Sequence, residues 1–115
     1  MSSHPNVLLV GPAAATAPLL QALHPHLRQP LSRCDLRVDT RVPEPTEGTL
    51  VISELDRMDP VQQRQLVAWL NQRQSPVQVV CTTSEPIFAL VVAGQFRSDL
   101  YYRLNAVFLD VTPMQ

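Results

Sequence analysis

Short, unbroken apolar runs set the pattern of this chain. Val7-Leu-Leu-Val10 is fully apolar and ends at Gly11-Pro12, Thr49-Leu-Val-Ile52 ends at Ser53-Glu54, and Val77-Gln-Val-Val-Cys-Thr82 ends among hydroxyl residues. Runs this short, with little alternation, predict strands buried on both faces, as in a parallel sheet. The segment 33–40 differs: Cys34, Leu36 and Val38 alternate with Asp35, Arg37 and Asp39, which predicts a half-buried strand near a sheet edge. Residues 106–111 supply a last strand.

Between the strands the pattern turns helical. Gly11-Pro-Ala-Ala-Ala-Thr-Ala-Pro18 reads as a loop, with a helix starting near Ala17 or Pro18 and carrying Leu19, Leu20, Leu23 and Leu27. Proline is tolerated in a first helical turn because its missing N–H would have no intrahelical partner there. Residues 41–47 are a proline-rich connector. Asp59-Pro60 reads as an N-cap and first helical residue. That helix runs to about Arg73, with Leu66, Val67 and Leu70 inward and Trp69 on its flank, and Ser75-Pro76 breaks it. Ser84-Glu-Pro86 opens a helical segment through Ala93 that Gly94 closes, and 98–104 is a further short helix. This order predicts an α/β three-layer sandwich around a mainly parallel sheet, in one domain spanning 1–115.

Composition narrows the function classes. The hydrophobic share of 45% is ordinary for a globular domain. A formal net charge of -1 provides no bulk field toward nucleic acid or anionic lipid, so neither direct DNA binding nor membrane association is expected. All nine basic residues are arginines. Cys34 and Cys81 form no metal or redox motif, so no metal site and no disulfide framework is expected, and Cys81 reads as a small buried hydrophobe. No apolar run approaches a membrane span, Val7-Leu-Leu-Val10 is too short for a signal peptide, and no Lys or Arg precedes Arg28. A cytoplasmic location is the expectation.

Two stretches carry a family resemblance. Gly48-Thr-Leu-Val-Ile-Ser-Glu-Leu55 and Gly94-Gln-Phe-Arg-Ser-Asp-Leu-Tyr-Tyr-Arg-Leu-Asn-Ala-Val107 lie about forty residues apart. They resemble, in the same order, the G-G-T-L-F-L-D-E-I and G-R-F-R-x-D-L-Y-Y-R-L-N-V-V strings of the AAA+ ATPase domain of sigma-54-dependent transcriptional activators. The resemblance runs from Val7 to Pro113 and is weakest between Leu27 and Glu47. It implies a P-loop NTPase core of five strands in spatial order 5-1-4-3-2. It also implies ATP and magnesium as the family's cofactors, and activator subunits or other transcription components as protein partners.

The chain departs from that family where nucleotide is held. The family's G-E-x-G-x-G-K-E loop aligns with Gly11-Pro-Ala-Ala-Ala-Thr-Ala-Pro18. Gly11 keeps the first glycine, Thr16 replaces the last, and Ala17 replaces the lysine that reaches the β and γ phosphates. Alanine resists the positive φ of a wrapped loop, and each proline removes an amide donor. Ser53 replaces the metal-organising aspartate, Glu54 matches the glutamate that polarises the attacking water, and Ser84 falls at the sensor asparagine. Arg97 and Arg103 match two arginines that reach a neighbouring subunit's γ phosphate. The alternative is structural, with Arg97 paired to Asp99 or Glu85. No GAFTGA-like string occurs in the roughly thirty residues between Ala17 and Gly48, and no lid subdomain or helix-turn-helix is expected in this chain.

The resulting expectation is a degenerate AAA+ core without a lid. It acts as a regulatory or protein-interaction module in transcription, hydrolyses no ATP and uses no cofactor. The alternative is a residual ATP-binding or ATPase module resting on Glu54, Arg97 and Arg103. A phosphoacceptor receiver domain is disfavoured, since it needs an aspartate where Ser53 stands and a lysine that the chain lacks.

Overall fold

The apolar runs become five parallel strands. In the computed structural model, which describes residues 5–72 and 77–113, these are β1 (Val7–Val10), β2 (Leu31–Asp35), β3 (Thr49–Ser53), β4 (Gln78–Thr83) and β5 (Val107–Asp110). Their spatial order is β2-β3-β4-β1-β5, which read from the other edge is the expected 5-1-4-3-2. The register aligns Val7 with Val80 on one side and Val107 on the other, and Thr49 with Gln78 and Leu31.

Strand pleating sends alternate residues to opposite faces. Leu8, Val10, Leu50, Ile52, Val79 and Cys81 enter one core, while Val7, Leu9, Val51 and Val80 enter the other. The helices α2 (Pro60–Gln72), α3 (Ile87–Val92) and α4 (Ser98–Leu104) contribute to the first core. The second is covered by α1 (Ala13–Leu23) through Leu19, Leu20 and Leu23, with Leu27 from the turn that follows. The result is a three-layer α/β sandwich with one heavily covered face and one thin one. Both cysteines are free and buried, and burial pushes the Cys81 thiol far above its ordinary range, so it stays a neutral core residue.

α2 starts as expected. Asp59 Oδ1 accepts from the Gln62 amide at 2.7 Å, and Gln62 Oε1 accepts from the Asp59 amide at 2.9 Å. This reciprocal capping box satisfies two donors that the helix start leaves open. Its expected end at Arg73 and the Ser75-Pro76 break lie outside the described residues. α3 closes with the Gly94 amide donating to the Val91 carbonyl and the Gln95 amide to Leu90.

Several expectations need correction. The stretch carrying Thr16 and Ala17 is helix, not loop: α1 starts at Ala13, with Pro12 as its N-cap and Pro18 inside it. Alanine has the best helix propensity, so the run after Pro12 coils at once, and Pro18 costs one hydrogen bond rather than setting the start. β2 begins and ends earlier than expected, because residues 36–40 leave the sheet in a turn. There the Val38 and Asp39 amides both donate to the Asp35 carbonyl, and Val38 is 75% exposed instead of inward. Trp69 is buried in the core rather than flanking it, and Val67 is only partly buried.

Candidate functional site

The carboxyl ends of β1, β3 and β4 meet at one rim of the sheet, the place where open α/β sheets bind ligands. Gly11 ends β1, and its amide donates to the Thr83 carbonyl at 2.9 Å. A Cβ on Gly11 would lie 3.0 Å from Val111 Cγ2 and 3.3 Å from the Val111 carbonyl carbon. The segment after β5 therefore closes over the start of α1.

The amides of this segment have few free donors. The Ala15 and Thr16 amides both donate to the Pro12 carbonyl, and Pro12 and Pro18 have none. That leaves Ala13 and Ala14, the first turn of α1, as the open amides. Thr16 is buried with its hydroxyl 3.4 Å from the Pro12 carbonyl. Ala17 lies in the second turn of α1 and lines a groove beside the helix rather than its N-terminus.

Glu54 caps the short turn Leu55–Arg57 and is the one non-glycine residue with positive φ among the described residues, at φ 61. Its carboxylate Oε2 accepts from Ser84 Oγ at 3.0 Å, which ties the ends of β3 and β4 together. Sequence reasoning matched Thr83-Ser84 to the family's Thr-Asn sensor but missed Asp56 beside Thr83. Thr83 Oγ1 sits 3.1 Å from Asp56 Oδ1 and 2.7 Å from the Glu85 carbonyl, and its single hydrogen serves one of them at a time. Asp56 does not stand out by composition, since it reads as a solvated acid.

A left-handed backbone costs an L-residue about 1–2 kcal/mol, and glycine escapes that cost. Glu54→Gly is therefore expected to raise stability by about 0.5–1 kcal/mol in urea denaturation, after loss of the exposed Ser84 hydrogen bond. A net destabilisation would show that the Glu54 side chain contributes more than its backbone costs.

The two arginines lie apart from this rim in their bonding. Arg97 pairs with Asp99 at 2.8 Å, one of the two expected structural partners, and both side chains are substantially exposed. The Arg97 guanidinium holds the Asp99 carboxyl below its ordinary range, though an exposed pair of this kind contributes little to stability. Arg103 donates from Nη2 to the Leu70 carbonyl at 3.1 Å and from Nη1 to Asn71 Oδ1, clamping the last turn of α2. Among the described residues neither arginine bonds to Glu54 or Ser84.

A second residue missed by sequence reasoning holds the arginine segment. Gln63 is 2% exposed on α2. Its Nε2 donates to the Met58 and Gln95 carbonyls at 2.9 and 3.1 Å, and its Oε1 accepts from the Arg97 amide at 2.9 Å. Among the described residues no group of three or more His, Cys, Asp or Glu side chains could hold a metal ion, and no helix is long and apolar enough to cross a membrane.

Known proteins are similar to this chain in sequence and in fold. The sequence profile described as the sigma-54 interaction domain matches residues 2–114. The transcriptional regulatory protein ZraR of Klebsiella oxytoca is 30% identical over 125 residues, covering 99% of this chain and 28% of ZraR. The HTH-type transcriptional regulatory protein TyrR of Enterobacter agglomerans is 33% identical over 79 residues, covering 59% of this chain and 15% of TyrR. The structure of NtrX from Brucella abortus in complex with ADP superposes with a TM-score of 0.77 at 19% identity, over 96% of this chain and 32% of NtrX. The chain thus spans less than a third of the regulator ZraR that it matches along nearly its whole length.

Proposed function

Because the chain belongs to the family of sigma-54 interaction domains, we propose that it serves transcription regulation as a single core that neither binds nor hydrolyses ATP and acts by protein contact. Its partner in this reading is an activator subunit or another transcription component. The observation that carries the proposal is the folding of the phosphate-loop segment into α1. A triphosphate approaching Gly11 would meet the open amides of Ala13 and Ala14, no lysine, and the Val111 segment already packed on the glycine. These residues do not fit the family's nucleotide. A hydrogen bond to a charged group contributes roughly 1.5–3 kcal/mol, so the missing lysine alone weakens binding by about tenfold to a hundredfold. In this reading Glu54 is vestigial, Ser84 ties strand ends rather than sensing phosphate, and Arg97 and Arg103 are structural.

Calorimetric titration with ATP and magnesium is expected to give no measurable binding, and Ala17→Lys is expected not to restore it. A lysine there would stand in the second turn of α1, where Ala17 lines the groove beside the helix, while the prolines still withhold amide donors and Ser53 still leaves magnesium without its carboxylate. Micromolar affinity in the unaltered protein, or clear binding by the single variant, would overturn the proposal. The second reading is a residual ATP-binding module. Glu54 stands at the end of β3 as that reading requires, and NtrX, which shares the fold, has been solved with both ADP and ATP. A phosphate-release assay that distinguishes the protein from its Glu54→Ala variant would favour it.

A further inference from the structure

We propose that the groove between α1 and the edge strand β2 receives an extended acidic peptide segment of a partner protein, which adds to β2 as a further strand and sets a carboxylate on Arg33. The groove is open, has a volume of about 650 Å³ and is lined by Ala17, Leu20, Gln21, His24, Pro25 and Arg33. Its lining combines apolar surface with one cation and no acid.

Charge patterning says what would occupy it. No Asp or Glu precedes Asp35 in the chain, while Arg28, Arg33 and all three histidines do. All ten acids and the remaining seven arginines follow. α1 itself has no charged side chain. α1 and β2 as far as Cys34 are therefore acid-free, and the first acid, Asp35 at the end of β2, is already paired with Arg37, in a chain whose remainder is acidic. Arg33 is exposed and makes no ion pair among the described residues, where the two ion pairs are Arg37 with Asp35 and Arg97 with Asp99. Its Nη2 lies 3.2 Å from His24 Nδ1, which steers the side chain toward the groove wall without pairing its charge to an acid. A guanidinium presented on apolar surface favours a carboxylate held in its plane.

The backbone supplies the second half of the site. The Leu36 amide donates to the Ser53 carbonyl, so by the alternation of a parallel ladder Cys34 and Ser32 turn their peptide groups toward β3. Leu31, Arg33 and Asp35 turn theirs to the open edge. The Asp35 amide is already taken by Asp39 Oδ2 at 2.8 Å, which stops pairing at that end. Among the described residues the Leu31 and Arg33 peptide groups, beside the groove, have no backbone partner on that edge. Strand addition at such an edge derives affinity from main-chain hydrogen bonds and specificity from the pocket that alternate side chains enter.

Selection of random heptapeptides on the immobilised full chain tests this, followed by fluorescence anisotropy with the selected consensus peptide. Asp or Glu between apolar residues is expected to be enriched. Arg33→Glu is expected to weaken the peptide at least tenfold, and a peptide with its acid changed to Lys is expected to bind Arg33→Glu better than the original does. Arg33→Gln, a neutral replacement at an exposed position, repeats the test if the charge reversal perturbs folding. Amide resonances of Leu31 and Arg33 are expected to shift on binding. Absence of acidic enrichment, or affinity for Arg33→Glu and Arg33→Gln within twofold of the unaltered protein, would overturn the proposal.

Discussion

Gly48→Ala is expected to lower stability by about 3 kcal/mol or more, a large share of the total stability of a small domain. Gly48 has φ +83, and a Cβ there would lie 2.0 Å from the Pro30 carbonyl oxygen, 2.8 Å from its nitrogen and 3.0 Å from its carbonyl carbon. All three atoms are backbone, so no side chain can swing aside. Nor can the Pro30 segment retreat freely. The Thr49 amide donates to that same Pro30 carbonyl at 3.1 Å, and Thr49 Oγ1 donates to the Arg28 carbonyl at 2.8 Å. These bonds hold the start of β2 against the start of β3, and moving Pro30 breaks them. Gly94→Ala separates the two effects. Gly94 has φ +77 but nothing within 4 Å of its added Cβ, so alanine there meets only the left-handed backbone cost of about 1–2 kcal/mol. Equilibrium urea denaturation of both variants measures the difference. If Gly48→Ala were no more destabilising than Gly94→Ala, the close approach to Pro30 would not be rigid.

The sheet was legible in the sequence because burial on both faces leaves a mark that needs no partner to interpret. Val7-Leu-Leu-Val10 and Thr49-Leu-Val-Ile52 are apolar at every or nearly every position, and only central parallel strands demand that. β5 was legible as an apolar run without being buried: Val107, Phe108 and Leu109 are exposed on an edge strand. α1 was misread because the family pattern places a loop where this chain has alanines. Local propensity decided the matter once the glycines were gone. The 33–40 strand was misread because alternation is also what a strand followed by a polar turn looks like. The Val38 and Asp39 amides turn back to the Asp35 carbonyl, so the chain leaves the sheet and Val38 stands in solvent. Of the candidate site, Glu54 and Ser84 were found by resemblance, and the structure brings them within hydrogen-bonding distance. Asp56 and Gln63 left no trace, because their roles are bonds to groups distant in sequence.

Gln63→Leu is expected to cost about 2–4 kcal/mol although it makes a core position more apolar. The side chain serves three backbone groups at once: the carbonyls of Met58 and Gln95 and the amide of Arg97. Leucine matches the volume roughly and gains transfer free energy, but it can neither donate nor accept. Each buried group left unpaired costs about 1–3 kcal/mol. The Met58 carbonyl belongs to a buried residue and bears most of that loss, whereas Gln95 and Arg97 are exposed residues whose backbone groups can recover part of it from water. The total therefore falls below three full penalties. The effect should also be local in a way that a simple cavity is not, because these bonds tether the 95–97 segment to α2. Exchange of the Arg97 amide is expected to speed up in Gln63→Leu under conditions where central amides such as those of Val79 and Cys81 remain protected. Asn71→Ala provides the contrast. It removes an exposed partner of Arg103 while the Leu70 carbonyl still accepts from that arginine, so its cost should stay within about 0.5 kcal/mol. Urea denaturation and amide exchange of the two variants decide the matter. A loss below about 1 kcal/mol in Gln63→Leu with unchanged Arg97 exchange would mean that packing, not this glutamine, holds the arginine segment in place.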